Sequence, residues 1–193
     1  MNKNFFETIK ILDGVVLHLE YHQERLNAAL DSSDRYVLHA IVKPLKKGLY
    51  KCRIAYDIED IKIEYLKYTK RKVESLKLVY CDTIIYDKKY SNRDALNALF
   101  AKREMCDDIL IIKKGLVTDT SIANIAFFDG VTWFTPKTPL LKGTCRARLL
   151  DKGQIVEKDI KVKDIKRYKK IALINAMIDF DIIASDKIEE IIC

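Results

Sequence analysis

Residues 86–100, YDKKYSNRDALNALF, decide how the second half of this chain is expected to fold. They follow an apolar, β-prone run at 76–85 and pass through a polar turn into a helical pattern. Apolar side chains then recur at intervals typical of an amphipathic helix, at Leu96, Leu99 and Phe100. Asn92 is the expected N-cap of this helix. Lys89 is therefore predicted to lie at the end of a strand and just before a helix, where a reactive amine would be held rigidly.

The composition indicates a globular protein with a substantial core. The chain has 193 residues, of which 49% are hydrophobic, enough for one large or two small domains. Its net charge of +7 raises the question of an anionic partner. Acidic residues are interleaved with the basic ones, even in the densest basic run, residues 158–170. We therefore predict a charged, solvated surface; a nucleic-acid patch is the weaker alternative, and an anionic small molecule is compatible with this balance.

The cysteines and the hydropathy pattern indicate a cytoplasmic protein. The five cysteines, an odd number, show no paired short spacing, so we predict reduced thiols and neither a disulfide framework nor a zinc site. Glu7 and Lys10 interrupt the apolar residues of the N-terminal segment, so we expect no signal peptide. No run approaches the ~20 apolar residues that a membrane-spanning helix needs. The sequence thus predicts no contact with a membrane and no metal site.

The first part of the chain predicts two hairpins and a helix. β-prone or alternating runs lie at residues 5–12, 15–19, 49–56 and 61–68. Asp13-Gly14 is a strong turn signal between the first two runs. An apolar stripe then predicts a helix that contains Leu19, His22, Leu26, Ala29 and Leu30. Residues 36–42 suit either a strand or a helix. The polar cluster at 69–72 is the best boundary, so the first domain is predicted to comprise residues 1–70.

The second predicted domain, residues 71–193, is rich in strands. Besides the run that precedes Lys89, predicted strands lie at residues 108–113, 117–128, 131–135 and 171–174. Asp129-Gly130 is the turn signal of a further hairpin. A helix is predicted to begin after Gly143 and to be closed by Gly153. Hairpin-linked strands outnumber helices, which favours a mixed α+β fold.

The motifs of several enzyme classes are absent. The chain has no phosphate-binding GxxxxGK[ST], no dinucleotide-binding GxGxxG, no GxSxG and no HExxH. With three histidines, a Ser-His-Asp or Cys-His arrangement is poorly supplied, whereas a reactive lysine needs no histidine. Lys89 is therefore the candidate catalytic residue, and Lys88 is its competitor on chemistry alone.

Other positions are candidates for ligand contacts. Residues 143–146 begin a predicted helix, where backbone N–H groups can bind a phosphate, although a purely structural turn gives the same pattern. Asp119 and Asn124 lie five residues apart on one predicted strand and carry no signal alone. His22 and Arg25 share one face of their predicted helix. His22 is expected to be packed and hydrogen-bonded in the core, and Arg25 to face a cleft.

Together, these pieces resemble the class IV aminotransferases, the fold-type IV enzymes of pyridoxal 5′-phosphate (PLP). That family includes branched-chain and D-amino-acid aminotransferases and 4-amino-4-deoxychorismate lyase. The resemblance covers nearly the whole chain and rests on the order and spacing of Phe6-Glu7-Thr8, Asp13-Gly14, His22-x-x-Arg25-Leu26, Lys89-x-x-Asn92-Arg93, Gly115-x-Val117-Thr118-Asp119 with Asn124, Thr135-Pro136, and Leu141-x-Gly143-x-x-Arg146.

The resemblance implies a fold, a cofactor and an assembly. The fold is of the two-domain D-amino-acid aminotransferase type, with a small α/β N-terminal domain and a larger, strand-rich, barrel-like C-terminal domain. PLP would be bound in the cleft between the domains. A cytoplasmic homodimer that acts on a small, amino-acid-like substrate is implied as well.

The resemblance also implies roles for individual residues. Lys89 would hold PLP covalently and move the proton on the substrate's α carbon. Asp119 would face the pyridine nitrogen and keep it protonated. Arg93 would approach the 3′-oxygen side of the ring. The phosphate would be bound by Arg25 and by backbone amides at Thr144, Cys145, Asn175 and Ala176.

Two features depart from the family's pattern. Asp119 stands where the family usually has glutamate, and the missing methylene shortens its reach by about 1.5 Å. Contact through a shifted backbone or a water, and a weaker electron sink, are the expected consequences. The family also carries some tens of residues ahead of Phe-Glu-Thr, which this chain nearly begins with, so substrate choice is open.

The form Lys-x-x-Asn-Arg and the small size favour one reaction within the family. That reaction is the 4-amino-4-deoxychorismate lyase step, which releases pyruvate and leaves 4-aminobenzoate for folate synthesis. A branched-chain or D-amino-acid aminotransferase is the alternative. A further alternative is that the protein is not an enzyme but a relic of the family that binds PLP or another anion without turnover.

Overall fold

The computed structural model of the chain consists of two compact units. The residues that it describes are 4–33, 35–45, 47–185 and 187–193. The first unit comprises residues 1–70 and 88–92, and the second unit comprises residues 71–87 and 93–193. We propose that the domain boundary lies at residue 70, as the sequence predicts. The pattern of contacts differs from it by assigning residues 88–92, and with them Lys89, to the first unit.

The first unit contains a four-stranded antiparallel sheet and two helices. Its elements are β1 (Phe5–Leu12), β2 (Val15–Val16), α1 (Leu19–Leu30), α2 (Leu38–Ile41), β3 (Leu49–Tyr56) and β4 (Ile61–Lys67). The strand order is β2-β1-β3-β4. Both predicted hairpins and the first helix are confirmed, and the ambiguous residues 36–42 contain the short helix α2. The turn at Asp13 and Gly14 has positive φ at both residues, 47° and 86°, as a type I′ hairpin turn requires.

The core of the first unit lies between one face of this sheet and α1. Alternate residues of β1 point to this face, among them Ile9 and Ile11, both with no exposed surface. α1 contributes Leu26 and the predicted core residue His22, which is 1% exposed. Glu7 follows the same alternation in β1 and is also fully buried. The sheet therefore places one carboxylate on an otherwise apolar face.

The second unit contains an eight-stranded mixed sheet. Its strands and α-helices are β5 (Leu76–Tyr80), α3 (Asp94–Phe100), β6 (Asp108–Lys113), β7 (Leu116–Thr120), β8 (Asn124–Phe128), β9 (Trp133–Pro136), α4 (Thr144–Asp151), β10 (Val156–Lys158), β11 (Lys170–Asn175), β12 (Asp179–Ile182) and α5 (Ile188–Ile191). Two short 3-10 helices lie at Ala101–Arg103 and Val162–Arg167. The strand order is β10-β9-β8-β7-β6-β5, and β11 joins β8 to β12. The pairs β5/β6 and β9/β10 are parallel and the others are antiparallel.

Several local predictions for the second unit are wrong in detail. The run 117–128 is not one strand, because it turns back at Ser121 and divides into β7 and β8. Asn92 is not the N-cap of α3; Arg93 occupies that position, and its carbonyl accepts the first helical bond from Asn97 N at 2.7 Å. The strand β5 ends at Tyr80, five residues before the end of the apolar run. The hairpin about Asp129-Gly130 is confirmed.

The prediction of five reduced thiols is wrong as well, because Cys106 and Cys193 form a disulfide. β5 and β6 run in parallel, and Cys106 precedes the start of β6. The C-terminal residue lies on the other side of β5, where Cys193 N donates to Leu76 O at 3.0 Å. The sheet thus brings together two cysteines that are 87 residues apart.

The described part of the chain contains neither a membrane-spanning helix nor a cluster of metal-binding side chains. No helix there is both long enough and apolar enough to cross a membrane. Within the same residues, no group of three or more His, Cys, Asp or Glu side chains is arranged to hold a metal ion.

Candidate active site

Lys89 belongs to a short segment that pairs with the first strand of its own unit. Phe6 N donates to Lys89 O at 3.0 Å, and Tyr90 forms an antiparallel bridge with Phe5. A second bond, from Tyr90 N to Lys88 O at 2.9 Å, closes a three-residue γ-turn with Lys89 at its centre. The backbone of Lys89 is therefore fixed on both sides, and its Nζ lies 4.5 Å from the centre of the Phe6 ring.

The neighbouring lysine has different surroundings. Lys88 Nζ donates to the main-chain carbonyl of Ala29, near the C-terminal end of α1, at 3.0 Å. It also lies 5.6 Å from the centre of the Phe5 ring. A helix C-terminus attracts cations, so this contact gives Lys88 a structural function. The two amines thus differ in their surroundings, since Lys88 is bonded to the main chain of α1 and Lys89 lies over the Phe6 ring.

A buried carboxylate organises the polar groups of the first unit. Glu7 accepts a hydrogen bond from His22 Nδ1 at 2.6 Å. It also binds Arg25 in a two-pronged contact, with Nε at 2.8 Å and Nη2 at 2.5 Å. Arg25 is 15% exposed, so its guanidinium is largely within the protein. Two parallel bonds to one carboxylate fix both the position and the plane of that guanidinium.

The charges in this cluster follow from burial and pairing. Burial alone raises the pKa of Glu7, but the Arg25 charge and the bonds from His22 and Arg25 outweigh it and lower the pKa to about 2. Burial also lowers the pKa of His22, and the nearby charges of Arg25 and Lys89 act in the same direction, against the bond from Glu7. At neutral pH the cluster therefore contains an ionised Glu7, a neutral His22 and a charged Arg25.

In the second unit, Asp119 is anchored by its partner across the β7–β8 pair. Asp119 and Asn124 face each other in register. Asn124 Nδ2 donates to Asp119 Oδ1 at 2.7 Å and to Leu141 O at 2.8 Å. Leu141 N donates to the other carboxylate oxygen at 2.9 Å. Asp119 is 5% exposed, so its carboxylate is both buried and held in one orientation.

The pKa of Asp119 is raised towards neutral pH. Burial raises its pKa to about 6, although the hydrogen bonds from Leu141 and Asn124 and the charge of Arg146 act in the opposite direction. A carboxylate of this kind is ionised near pH 7 and still basic enough to share a proton with a ring nitrogen. The ionised Asp119 carboxylate can therefore accept a hydrogen bond from a protonated ring nitrogen.

The helix α4 begins next to this carboxylate. A Cβ atom at Gly143, its N-cap, would overlap Asn124 Oδ1, so only glycine allows the loop to approach Asn124 this closely. The first helical residues, Thr144 and Cys145, are buried. The first amides of a helix have no acceptor inside the helix, which makes this N-terminus suited to an anion.

Side chains from the same helix hold its first turn in place. Arg148 Nη2 donates to Cys145 Sγ at 3.3 Å and to Asp179 Oδ1 at 2.7 Å. Cys145 Sγ in turn donates to the main-chain carbonyl of Asp179 at 3.4 Å. Arg146 donates to Pro136 O at 2.8 Å. Cys145 is therefore part of the packing that fixes the start of α4.

Two of the remaining predicted residues, Arg93 and Asn175, bond to the turn between β7 and β8. Arg93 Nη2 donates to Ser121 O at 2.7 Å. Asn175, at the end of β11, accepts bonds from Met177 N at 2.9 Å and Ile178 N at 3.1 Å. Ala176 is half-buried within the turn that Asn175 stabilises.

The predicted residues thus fall into two groups. Lys89 and Arg25 lie in the first unit, and the members of the second unit are Arg93, Asp119, Thr144, Cys145, Asn175 and Ala176. Sequence reasoning did not assign Glu7 its function as the partner of Arg25. A signal was present, because strand alternation places Glu7 on the face of Ile9 and Ile11, where a charge needs a partner.

The family profile described as "Amino-transferase class IV" matches residues 87–185. An uncharacterized protein of Haemophilus influenzae is 40% identical over 181 residues, which cover 89% of this chain and 96% of the relative. This relative is therefore similar in length to the chain.

Solved structures of related proteins are also similar to this chain. A crystal structure from Haemophilus somnus, of a protein provisionally named a 4-amino-4-deoxychorismate lyase, has a TM-score of 0.82 and 36% identity, with coverage of 92% of this chain and 97% of that chain. The PLP-bound form of a hypothetical aminotransferase from Mycobacterium tuberculosis has a TM-score of 0.74 at 15% identity, with coverage of 96% and 83%. The predicted strand-rich α+β fold of fold-type IV is confirmed.

Proposed function

Because this chain belongs to the class IV aminotransferase family, we propose that it binds PLP and catalyses the 4-amino-4-deoxychorismate lyase reaction. The family is PLP-dependent, and the provisional name of the Haemophilus somnus structure supports the lyase. We further propose a cytoplasmic homodimer, as family membership suggests.

One observation carries the cofactor proposal. Asn124 contacts both the Asp119 carboxylate and Gly143, the residue that begins α4. One side chain therefore sets the distance between an acidic partner for a ring nitrogen and a helix N-terminus for a phosphate. PLP carries these two groups on one rigid ring, so the residues present fit it.

Each residue then has a defined task. When bound, PLP supplies an electron sink for the carbanion that forms on the substrate. In the first unit, Lys89 would bind the cofactor and carry the proton at the substrate's α carbon, and Arg25 would contact the phosphate. In the second unit, Asp119 would keep the ring nitrogen protonated, and amides of Thr144 and Cys145 would donate to phosphate oxygens.

Absorbance tests cofactor binding directly. The protein mixed with PLP should develop a visible band that borohydride treatment removes while it fixes the cofactor to the chain. Lys89→Ala should lose the band and the covalent mass increase, whereas Lys88→Ala should keep both, because Lys88 is bound to Ala29 O. A protein that stays colourless in PLP would overturn the proposal and favour a relic without turnover.

Product analysis then separates lyase from aminotransferase. The PLP-loaded protein is incubated with 4-amino-4-deoxychorismate in the absence of a keto acid, and pyruvate is measured. Pyruvate release is the expected result. If glutamate forms from an amino donor and 2-oxoglutarate while no pyruvate is released, the lyase assignment is wrong and the aminotransferase replaces it.

A further inference from the structure

The turn between β7 and β8, residues 121–123, has all of its backbone polar groups hydrogen-bonded. Ser121 N donates to Asp108 Oδ1 at 3.3 Å, and Ser121 O accepts from Arg93 Nη2 at 2.7 Å. Ile122 N donates to Thr120 Oγ1 at 3.4 Å. Ile122 O accepts a hydrogen bond from Asn175 Nδ2, which is also 3.4 Å long.

The third residue of the turn is closed by Thr120. Ala123 N donates to Thr120 Oγ1 at 3.0 Å, and Ala123 O accepts from Thr120 N at 2.9 Å and from Thr120 Oγ1 at 3.1 Å. Ser121 and Ala123 are both buried, and Ile122 is 42% exposed. The turn is thus held from several directions and presents one side chain to its surroundings.

Three of these bonds involve side chains that lie far away in the sequence, and the others involve Thr120, directly before the turn. Asp108 begins β6, Arg93 precedes α3, and Asn175 ends β11. Of the residue types that usually fix a turn locally, the turn contains one serine, Ser121, and no glycine, proline, asparagine or aspartate. Its conformation therefore depends on these distant partners as well as on Thr120. Convergence of this kind is the usual way in which a protein over-determines a functional geometry.

One predicted site residue, Asp119, lies directly beside this turn. Asp119 and Asn124 flank it and form the only registered β7/β8 pair within the described residues. Their 2.7 Å side-chain bond fixes the Asp119 carboxylate. If the turn moves, the two strand ends separate, and the carboxylate loses its orientation.

We propose that Arg93 and Asn175 are positioning residues for Asp119. They act through the carbonyls of Ser121 and Ile122, and so determine where the carboxylate meets the ring nitrogen of the cofactor. This inference rests on the proposed function for its catalytic meaning. The mechanical part of it, that the turn is held by Arg93, concerns the protein without any cofactor.

Hydrogen exchange of the cofactor-free protein tests the mechanical part. In Arg93→Met, which keeps an unbranched apolar stem but removes the guanidinium donors, amides of residues 119–124 should exchange at least tenfold faster than in the wild type. Arg103→Met is the matched control, because the Arg103 side chain contacts Phe100, at the end of α3, through Phe100 O and the Phe100 ring. Unchanged exchange at 119–124 in Arg93→Met would overturn the inference.

A double-substitution cycle tests the functional part through PLP affinity and the wavelength of the visible band. Arg93→Met alone should weaken PLP binding at least tenfold and shift the band. Added to Asp119→Asn, it should have little further effect on either, since Arg93 acts through that carboxylate. If the two losses multiply instead, Arg93 acts on the cofactor directly and the inference is wrong. A wild-type protein that binds no PLP contradicts the proposed function, and the exchange experiment still decides on the turn.

Discussion

Replacing Glu7 by glutamine should destabilise the first unit strongly at neutral pH and much less in acid. Glutamine keeps the size of the side chain but removes the charge that Arg25 and His22 contact at 2.5–2.8 Å. Glu7 is fully buried and Arg25 is 15% exposed, so the substitution would remove the buried carboxylate that faces the arginine's charge. Removing one partner of a buried ion pair commonly costs about 3–5 kcal/mol.

The pKa gives an independent figure of the same size. The pairing lowers the pKa of Glu7 from 4.5 to about 2. One pKa unit corresponds to about 1.4 kcal/mol, so the shift amounts to about 3 kcal/mol of unfolding free energy at neutral pH. Because the pKa is lower in the folded state, this contribution is complete above the unfolded value of 4.5 and disappears as the pH falls towards 2.

Urea unfolding followed by circular dichroism at several pH values measures this difference. The wild type and Glu7→Gln should differ by about 3 kcal/mol near pH 7, and the gap should narrow steadily below about pH 4.5. Glu64→Gln is the matched control, because Glu64 lies on the same sheet but pairs with Lys62 at the exposed surface. This control should change the unfolding free energy little at any of these pH values.

Two results would refute the reasoning. A gap between wild type and Glu7→Gln that stays constant from neutral to acidic pH would show that the carboxylate charge is not its origin. A gap as small as that of Glu64→Gln at neutral pH would show that Arg25 finds another partner when Glu7 is neutral.

Three further predictions concern Gly143 and the disulfide. Gly143→Ala should weaken PLP binding at least tenfold in a spectrophotometric titration, because the added methyl group would overlap Asn124 Oδ1 and displace it; unchanged affinity would mean that this contact is not needed. Alkylation of the denatured protein should modify three cysteines before reduction and five after it, because Cys106 and Cys193 are bonded. Loop closure over 87 residues gives about 4–5 kcal/mol as the largest loss of stability expected for Cys193→Ser, and Cys81→Ser should lose little.

The elements that depend on local signals were predictable from the sequence. Asp13-Gly14 and Asp129-Gly130 each lie in a hairpin, as their turn chemistry indicates. The division of 117–128 into two strands was missed, because the hydroxyl of Thr120 closes that turn and no glycine or proline marks it. The position of a helix N-cap was missed by one residue, because the residue that occupies it, Arg93, makes no side-chain cap and is not a residue type that favours this position.

The features that depend on distant partners could not be found in this way. The disulfide requires β5 to lie beside both β6 and the C-terminal residues, which no spacing of cysteines reveals. The anchoring of Asp119 requires Leu141 N, a backbone group without any sequence signature. The family resemblance indicated which positions matter, and the structure adds how the side chains at those positions are held.

The assignment of residues 88–92 to the first unit limits how this protein can be recombined with its relatives. The chain leaves the second unit for five residues, contributes Lys89 to the first, and returns. A chimaera with a relative that is joined at residue 70 would exchange the small sheet but keep the original amine. The donor sheet would then have to accept a foreign lysine segment along β1. Recombination between relatives therefore needs matched junctions on both sides of this segment, or compatible sequences at Phe5 and Phe6.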